Sequence, residues 1–301
     1  MISSHREIDS ELNYLGDESK LETIKKSEFY SGESYLPLLT MSELCQKLIE
    51  FNNLGDNIKL FFETLIIDLK FSNDEWILTS KDGDLFKSKY LICSTNLLLH
   101  KRSLNILNTN QIPLRKAIPS NKDKKIDMLF NFLNKQTFIP RLTFLIYTDE
   151  NYSYKDLYSK KYRYFHLKKI LENKYKFERV IFQLQDDKKL GIVLHSKSIN
   201  LIDYYVESKD QYLFSQKIFT TFNELFKVHS SIKLLTGNEN ISIMHWRASQ
   251  PSEYAVPLSL QFNAKYRIGF CGDWFEGDGF GRIEGSILSA LLLANQLKTI
   301  K

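Results

Sequence analysis

The sequence predicts an α/β fold with α+β character in its middle. Three observations predict it. At the C-terminus a short apolar strand, Tyr266 to Gly272, leads through a glycine-rich turn, Gly272 to Arg282, into an apolar helix, Ile283 to Leu297. Toward the front, β-branched and aromatic runs flank Asp82-Gly83, the turn chemistry of a hairpin. Between these ends, strand-like runs are followed by an amphipathic helix.

Taken in order, residues 1–34 are polar and weakly patterned and read as a loop with a short helix, or a frayed start; no strong β run precedes residue 35. Tyr35 to Thr40 is extended, because Pro37 restricts the residue before it. A helix capped by Thr40 or Ser42 follows, with Leu44, Cys45, Leu48 and Ile49 at helical spacing, and stops near Gly55. Lys59 to Phe71 and Glu75 to Ser80 are strands, and Leu85 to Ser94 runs back after the turn, its Tyr90 to Cys93 end reading as a central buried strand. Residues 101–140 are irregular around one apolar stretch, Ile126 to Leu133. Strands follow at Leu142 to Tyr147, Arg179 to Leu184, Leu190 to Ser196 and Ile241 to Trp246. A polar turn lies at Asp186 to Lys189. A helix spans 208–228, with Leu213, Ile218, Phe219, Phe222 and Leu225 on one face.

Composition excludes several classes. The chain has 301 residues, 43% hydrophobic and 26% charged, with 21 Phe and 16 Tyr, which is too apolar for disorder. Twelve Gly and six Pro leave little material for long linkers. The net charge of +5 is spread out, with a mild cluster from Lys160 to Lys189 among Tyr162, Tyr164 and Phe165; it reads as a solvated face rather than a nucleic-acid footprint. Cys45, Cys93 and Cys271 are far apart and odd in number, so neither a disulfide framework nor a metal site is expected. They read as small buried hydrophobes of a reducing, cytoplasmic protein. Met1 to Lys20 has no apolar signal segment, and no apolar run approaches the ~18 residues of a membrane span.

The C-terminal unit carries the chemistry. Glycines at 277, 279 and 281 let the backbone turn and approach a partner closely. The helix that starts near Arg282 presents amides without internal partners and the positive end of its dipole. Such an end can face a phosphate or a flavin carbonyl, or serve packing alone.

The segment His245-Trp246-Arg247-Ala248, then Pro251, then Gly269 to Trp274, then Gly281-Arg282-Ile283-Glu284-Gly285-Ser286 with Ser289 and Ala290, resembles the C-terminal signature of renalase-like flavoproteins, relatives of flavin-containing amine oxidases. That pattern runs His-Trp-Arg, Gly-Asp-Trp, then Gly-Arg-Val-Glu-Gly-Ala with a nearby Ser. Weaker likeness covers Pro37, Met41 to Leu44, Trp76, Asp82-Gly83, Leu91 to Thr95 and Val193 to Ser196; the Trp-Ser pair that usually follows the last segment is replaced by Ser198 to Leu201. The resemblance implies FAD as cofactor, held at Gly272, Asp273, Trp274, Gly281, Arg282, Ile283 and Glu284. Asp273 would meet the ribityl chain, and the amides near Arg282 to Glu284 would face the ring carbonyl. His245, Trp246 and Arg247 would lie at the flavin face or the substrate mouth. Against each role stands a plain one: Asp273 capping its turn, Trp246 and Trp274 as core aromatics, Arg282 and Glu284 as a surface pair, His195 and His245 as core or edge histidines. No catalytic base is assigned.

A flavin fold of this type begins with a strand, a Gly-x-Gly-x-x-Gly turn and a helix. Neither Gly16 nor Gly32 has a partner at that spacing, and Gly277-Asp278-Gly279-Phe280-Gly281 has Arg282 where the third glycine would fall. The missing unit is then lost by a displaced start, carried by a partner chain, or given up together with FAD. An uncovered sheet edge would invite aggregation, which favours a partner or residues 1–34 over the gap. The expected organisation is a partial Rossmann-type FAD-binding domain of the glutathione-reductase-like, amine-oxidase type (35–105 and 241–301). It is joined by a mixed or antiparallel substrate-type domain (106–240), with 1–34 as an extension. The expected function is an FAD-dependent oxidoreductase taking a hydride from a small amine or a reduced nicotinamide, NAD(P)H, with dioxygen as reoxidant. The alternative is a scaffold derived from that fold without its cofactor.

Overall fold

The computed structural model describes residues 49–50, 57–148, 164–184, 190–208, 210–227 and 234–299, together with the backbone of four strands before residue 38. The chain divides into two compact units, 1–59 with 140–247 and 60–139 with 248–301.

The first unit is built on a seven-stranded mixed sheet. Its members are β2 (Glu11–Leu15), β3 (Leu21–Lys25), β9 (Phe138–Tyr147), β10 (Tyr164–Leu167), β11 (Arg179–Leu184), β12 (Leu190–Ser196) and β13 (Asn240–Pro251). They lie in the order β13-β9-β12-β11-β10-β2-β3. Pairing is antiparallel from β9 through β10 and between β2 and β3, and parallel between β10 and β2. Separately, β1 (Ile2–Glu7) pairs antiparallel with β4 (Glu33–Pro37). Residues 2–25, read from sequence as loop or helix, therefore contribute three strands. Helices α4 (Lys169–Tyr175), α5 (Ile199–Glu207) and α6 (Gln211–Phe226) accompany the sheet. Leu142, Phe144 and Ile146 of β9 and Leu190, Ile192 and Leu194 of β12 share one core with Phe214, Ile218, Phe222 and Phe226 of α6. Phe165, Phe182, Phe222 and Phe226 meet there mostly edge to face, centroids 4.8–6.3 Å apart, and the Phe144 ring lies 6.0 Å from that of Phe214. Leu213 departs from the expected face of α6: it is 60% exposed, and Phe214 is buried in its place. Helix α5 occupies Ile199–Glu207, which carried no helical expectation.

The second unit holds the site. An antiparallel meander of β5 (Ile66–Ser72), β6 (Glu75–Ser80) and β7 (Leu85–Ser88) turns at Gly83, whose φ is +92°. The chain then kinks. The Ser88 hydroxyl donates to the Tyr90 carbonyl and accepts the Tyr90 amide, which separates β7 from β8 (Leu91–Cys93). The single return strand expected over 85–94 is thus two strands in two sheets. Among the described strands β8 is not central but ends the sheet β14-β15-β8, and its Ile92 is 51% exposed. β14 (Phe262–Asn263) and β15 (Ile268–Phe270) complete that sheet, with β15 parallel to β8.

Residues 101–139 are more regular than their sequence suggested. They form α1 (Ser103–Ile106), α2 (Pro113–Ala117) and α3 (Lys124–Lys135), and they pack with the second unit, not with the middle of the chain. Leu114, Ile118, Ile126, Leu129, Phe130 and Leu133 share a core with Leu69, Trp76, Ile268 and Phe270. Trp76 donates its Nε1–H to the Tyr266 carbonyl at 2.7 Å and so ties the meander to the start of β15. The C-terminal helix, α7 (Ile283–Lys298), lies on the small sheet. The expected helix around Leu44 to Ile49 lies outside the described residues, apart from Ile49 and Glu50, which are helical. No helix among the described residues is long and apolar enough to cross a membrane.

Asp123 serves two purposes in this unit. Its Oδ1 accepts the Ile126 amide, capping α3, and the Asn263 side-chain amide, holding β14. Asp123→Ala removes both bonds and is expected to cost about 1–2 kcal/mol, read as a lower urea midpoint at unchanged slope.

Candidate functional site

β15 and β8 end side by side, with the Cys271 amide bonded to the Cys93 carbonyl at 3.1 Å. Beyond that point the chain has to leave the sheet, and Gly272 makes it do so at φ +144°. A Cβ there would collide with the indole of Trp274 and reach within 3.2 Å of the Ser94 carbonyl. The turn is locked from α7. Ser289 Oγ accepts the Gly272 amide at 2.9 Å and lies 3.0 Å from the carbonyls of Gly272 and Ser286, either of which takes its proton.

The loop from Phe275 to Arg282 closes on itself. The Gly281 amide donates to the Asp273 carbonyl at 2.7 Å, and the Arg282 amide to the Gly279 carbonyl at 2.8 Å. Gly279 and Gly281 take φ of +83° and +73°, a region L side chains rarely adopt. Gly279 also packs backbone to backbone against Gly285 on the first turn of α7. A Cβ on Gly279 would lie 2.6 Å from the Gly285 nitrogen, and a Cβ on Gly285 would strike the Gly279 carbonyl. Helix α7 therefore meets loop and strand along Gly285, Ser289 and Leu293, one residue per turn. Its N-cap, Arg282, makes no side-chain capping bond. Arg282, Ile283 and Glu284 are exposed, so the first amides open outward with the positive end of the dipole.

A cavity of roughly 210 Å³ opens at the carboxyl ends of β8 and β15. Ser94, Thr95 and Asn96 line it from the first strand, Asp273 and Trp274 from the second, and Arg102 from the segment after β8. Burial pushes the Asp273 carboxyl above the ordinary range, opposed by its own amide. The Arg102 guanidinium lies over the Phe138 ring at 4.2 Å and donates Nη2–H to Asn96 Oδ1 at 2.8 Å. Trp274 is 2% exposed and belongs to the core, while its Nε1 has no hydrogen-bond partner.

Of the residues singled out from sequence, Gly272, Asp273, Trp274, Gly281, Arg282, Ile283 and Glu284 stand together in this turn. The role of Asp273 in holding the turn passes through its carbonyl, which leaves its carboxylate free of side-chain partners among the described residues. His245, Trp246 and Arg247 belong to the other unit, on β13. There His245 meets Tyr205 edge to face with centroids 6.2 Å apart, and Trp246 is 47% exposed, so it is not a core aromatic. Cys93 and Cys271 are buried free thiols, and burial beside Cys271 pushes Cys93 up to about 12. Cys45 lies outside the described residues. Arg102 was missed in sequence; it sits in a Lys-Arg pair of the kind that ordinarily marks a solvated turn, and only the tertiary packing turns it inward.

His195 is held by its neighbours on the mixed sheet. Its Nδ1 lies 3.2 Å from Arg179 Nη2 and accepts from it. Burial first, then the charges of Arg179 and Arg141, hold it down to about 4, while Glu178 opposes them. Glu178 itself is paired with Arg141 at 2.9 Å.

Comparison with known proteins falls in line with this geometry. No protein-family model matches the chain, and no curated protein matches its sequence. Solved structures do match. The fold is of the amine-oxidase type: an α/β unit of partial Rossmann kind together with a mixed-sheet unit. Putrescine oxidase in its wild-type form bound to putrescine aligns with 90% of this chain and 56% of its own length, at 10% identity and a TM-score of 0.54. A triple mutant of the same enzyme, redesigned in cofactor binding, aligns with 86% and 52% at the same identity and TM-score. Cyclohexylamine oxidase from Brevibacterium oxydans aligns with 81% of this chain and 50% of its own, at 10% identity and a TM-score of 0.51. The chain thus spans about half the length of the structures it matches.

Two outcomes follow from the contacts above. Gly285→Ala, which drives a methyl into the Gly279 backbone, is expected to destabilise by about 2–4 kcal/mol, whereas Gly83→Ala, with open space around it, costs only about 1 kcal/mol of backbone strain; parallel denaturation curves compare them. For His195 the folded value lies below the ordinary 6.5, so the unfolded chain binds the proton first as pH falls. Stability is full above pH 6.5 and is lost between 6.5 and about 4. His195→Asn should flatten that fall by about 2–3 kcal/mol, measured as the difference in unfolding free energy between pH 7 and pH 4.

Proposed function

We propose that this chain is the framework of a flavin-dependent oxidoreductase of the amine-oxidase kind, with FAD as cofactor and a small amine or NAD(P)H as hydride donor. The observation that carries the reading is the side-chain-free seat of α7 on the Gly272–Arg282 loop, which leaves an uncapped helix end beside a polar cavity at two parallel strand ends. In open α/β sheets ligands bind outside the carboxyl ends of the strands. The renalase-like signature at Gly272 to Trp274 and Gly281 to Ser286 supports the narrower family, and the amine oxidases matched in fold support the broader one.

The residues present fit the ring-and-stem portion of a flavin. Arg102, on the cavity wall, has no carboxylate partner among the described residues, and the loop glycines leave room for backbone to meet ligand. A bound flavin would supply the hydride-accepting chemistry, with dioxygen as the reoxidant. This chain's own residues bind and orient. The amides of Ile283 and Glu284 offer donors and a positive field to a ring carbonyl, favouring negative charge on the reduced ring. The Asp273 carboxylate accepts from stem hydroxyls. Gly281 and Gly279 let the loop close without side chains.

A second reading is favoured by the surface of α7. Ile283, Ile287, Leu288, Leu291 and Leu292 are all exposed, and β8 offers an open edge among the described strands. In that reading the chain is a scaffold whose partner chain covers this face.

The visible absorption spectrum of the purified chain, before and after FAD is added, separates the two. Flavin bands that co-purify or shift on mixing, and that weaken about tenfold or more in affinity with Asp273→Ala, support the flavin reading. A colourless protein indifferent to FAD supports the scaffold.

A further inference from the structure

We infer that the cavity at the carboxyl ends of β8 and β15 is a phosphate-ester site in which Arg102 is the anion ligand. The inference deepens the flavin reading and rests on it for the identity of the ester, a ribityl phosphate; the anion site itself rests on geometry.

Arg102 is held in place before any ligand arrives. Its backbone amide donates to His100 Nδ1 at 3.2 Å, its guanidinium is stacked on Phe138, and Nη2 is fixed by the neutral Asn96 amide. Its Nε is buried and has no acceptor. Among the described residues no carboxylate lies within ion-pair distance of it. A half-buried guanidinium without a counter-charge is costly to keep, and the cost falls when an anion is taken up. Burial depresses the Arg102 proton affinity in the same sense. A phosphate oxygen suits the planar fork better than other acceptors do.

The other walls select the rest of the ligand. Asp273 shares the cavity with Arg102, yet the two do not pair, so each is left for a different part of one molecule. A carboxylate accepts from hydroxyls and repels phosphate, which places a polyol at Asp273 and the phosphate at Arg102. At roughly 210 Å³ the space is smaller than the ~300–1,000 Å³ that encloses a drug-sized ligand. It takes a phosphate and its polyol stem, with the remainder of the ligand outside.

The test is a fluorescence-quenching titration of the full chain with riboflavin and with flavin mononucleotide, which differ by the phosphate alone. Calorimetry with inorganic pyrophosphate runs beside it. The chain is used as wild type, Arg102→Gln and Arg102→Lys, with circular dichroism confirming that the variants fold. The mononucleotide is expected to bind about tenfold or more tightly than riboflavin in wild type. Arg102→Gln should erase that preference by weakening the mononucleotide about tenfold more than riboflavin, and Arg102→Lys should keep part of it. Equal binding of the two flavins in wild type, or equal weakening of both by Arg102→Gln, overturns the Arg102 role while the flavin reading stands. Pyrophosphate binding that depends on Arg102, without binding of either flavin, upholds the anion site and removes the flavin reading. Binding of none of the three overturns both.

Discussion

The hydroxyl of Ser289 accepts the Gly272 amide and thereby fastens helix α7 to the end of strand β15. The rest of the unit is arranged around that lock. For Ser289 to reach, the helix must lie against the strand with little between them. Leu293, one turn on, occupies the space that a side chain at Gly269 would fill, its Cδ2 only 3.0 Å from where such a Cβ would stand. One turn earlier Gly285 rests on the Gly279 backbone. The three residues form a stripe narrow enough to fix both the height and the rotation of the helix. Its N-terminus is thereby brought to the loop that Asp273 begins. The cavity then follows from chain geometry: two parallel strands stop together, one continues into Ser94 to Asn96, the other into Asp273 and Trp274.

The same lock explains an oddity of α7. A helix apolar on nearly all sides is normally enclosed, yet here only the stripe is buried by the described residues. Its outward face and the exposed Ile92 of β8 present apolar surface beside a strand edge. A strand-and-helix unit laid against both would cover them, and the Gly-x-Gly-x-x-Gly turn absent from this sequence belongs to a unit of that kind. The scaffold and flavin readings thus differ in what occupies this face and not in how α7 is held.

Much of this was legible in the sequence because glycine, proline and small residues record backbone constraints directly. Gly272, Gly279, Gly281 and Gly285 each sit where a Cβ cannot, so the turn and the helix start could be read from residue types. The hairpin at Asp82-Gly83 was legible for the same reason. The N-terminal strands were not, since polar residues such as Glu11, Asn13 and Glu22 have weak strand propensity and the runs are short. The break between β7 and β8 was hidden because a Ser88 hydroxyl bond, which leaves no hydrophobic trace, makes the kink. The placement of 106–139 with the second unit rests on long-range packing of Leu114, Ile126 and Leu133, which local pattern does not carry. Arg102 was hidden by its neighbour Lys101 and by its dependence on Phe138, 36 positions away.

The central claim is that a flavin's ring and stem sit on the loop between β15 and α7. Hydrogen–deuterium exchange of the full chain, with and without excess FAD, tests it most directly. The account predicts slowed exchange concentrated in peptides covering 94–102 and 272–289, with β10 to β12 unchanged. Slowing confined to the mixed-sheet unit, or none anywhere, would contradict it.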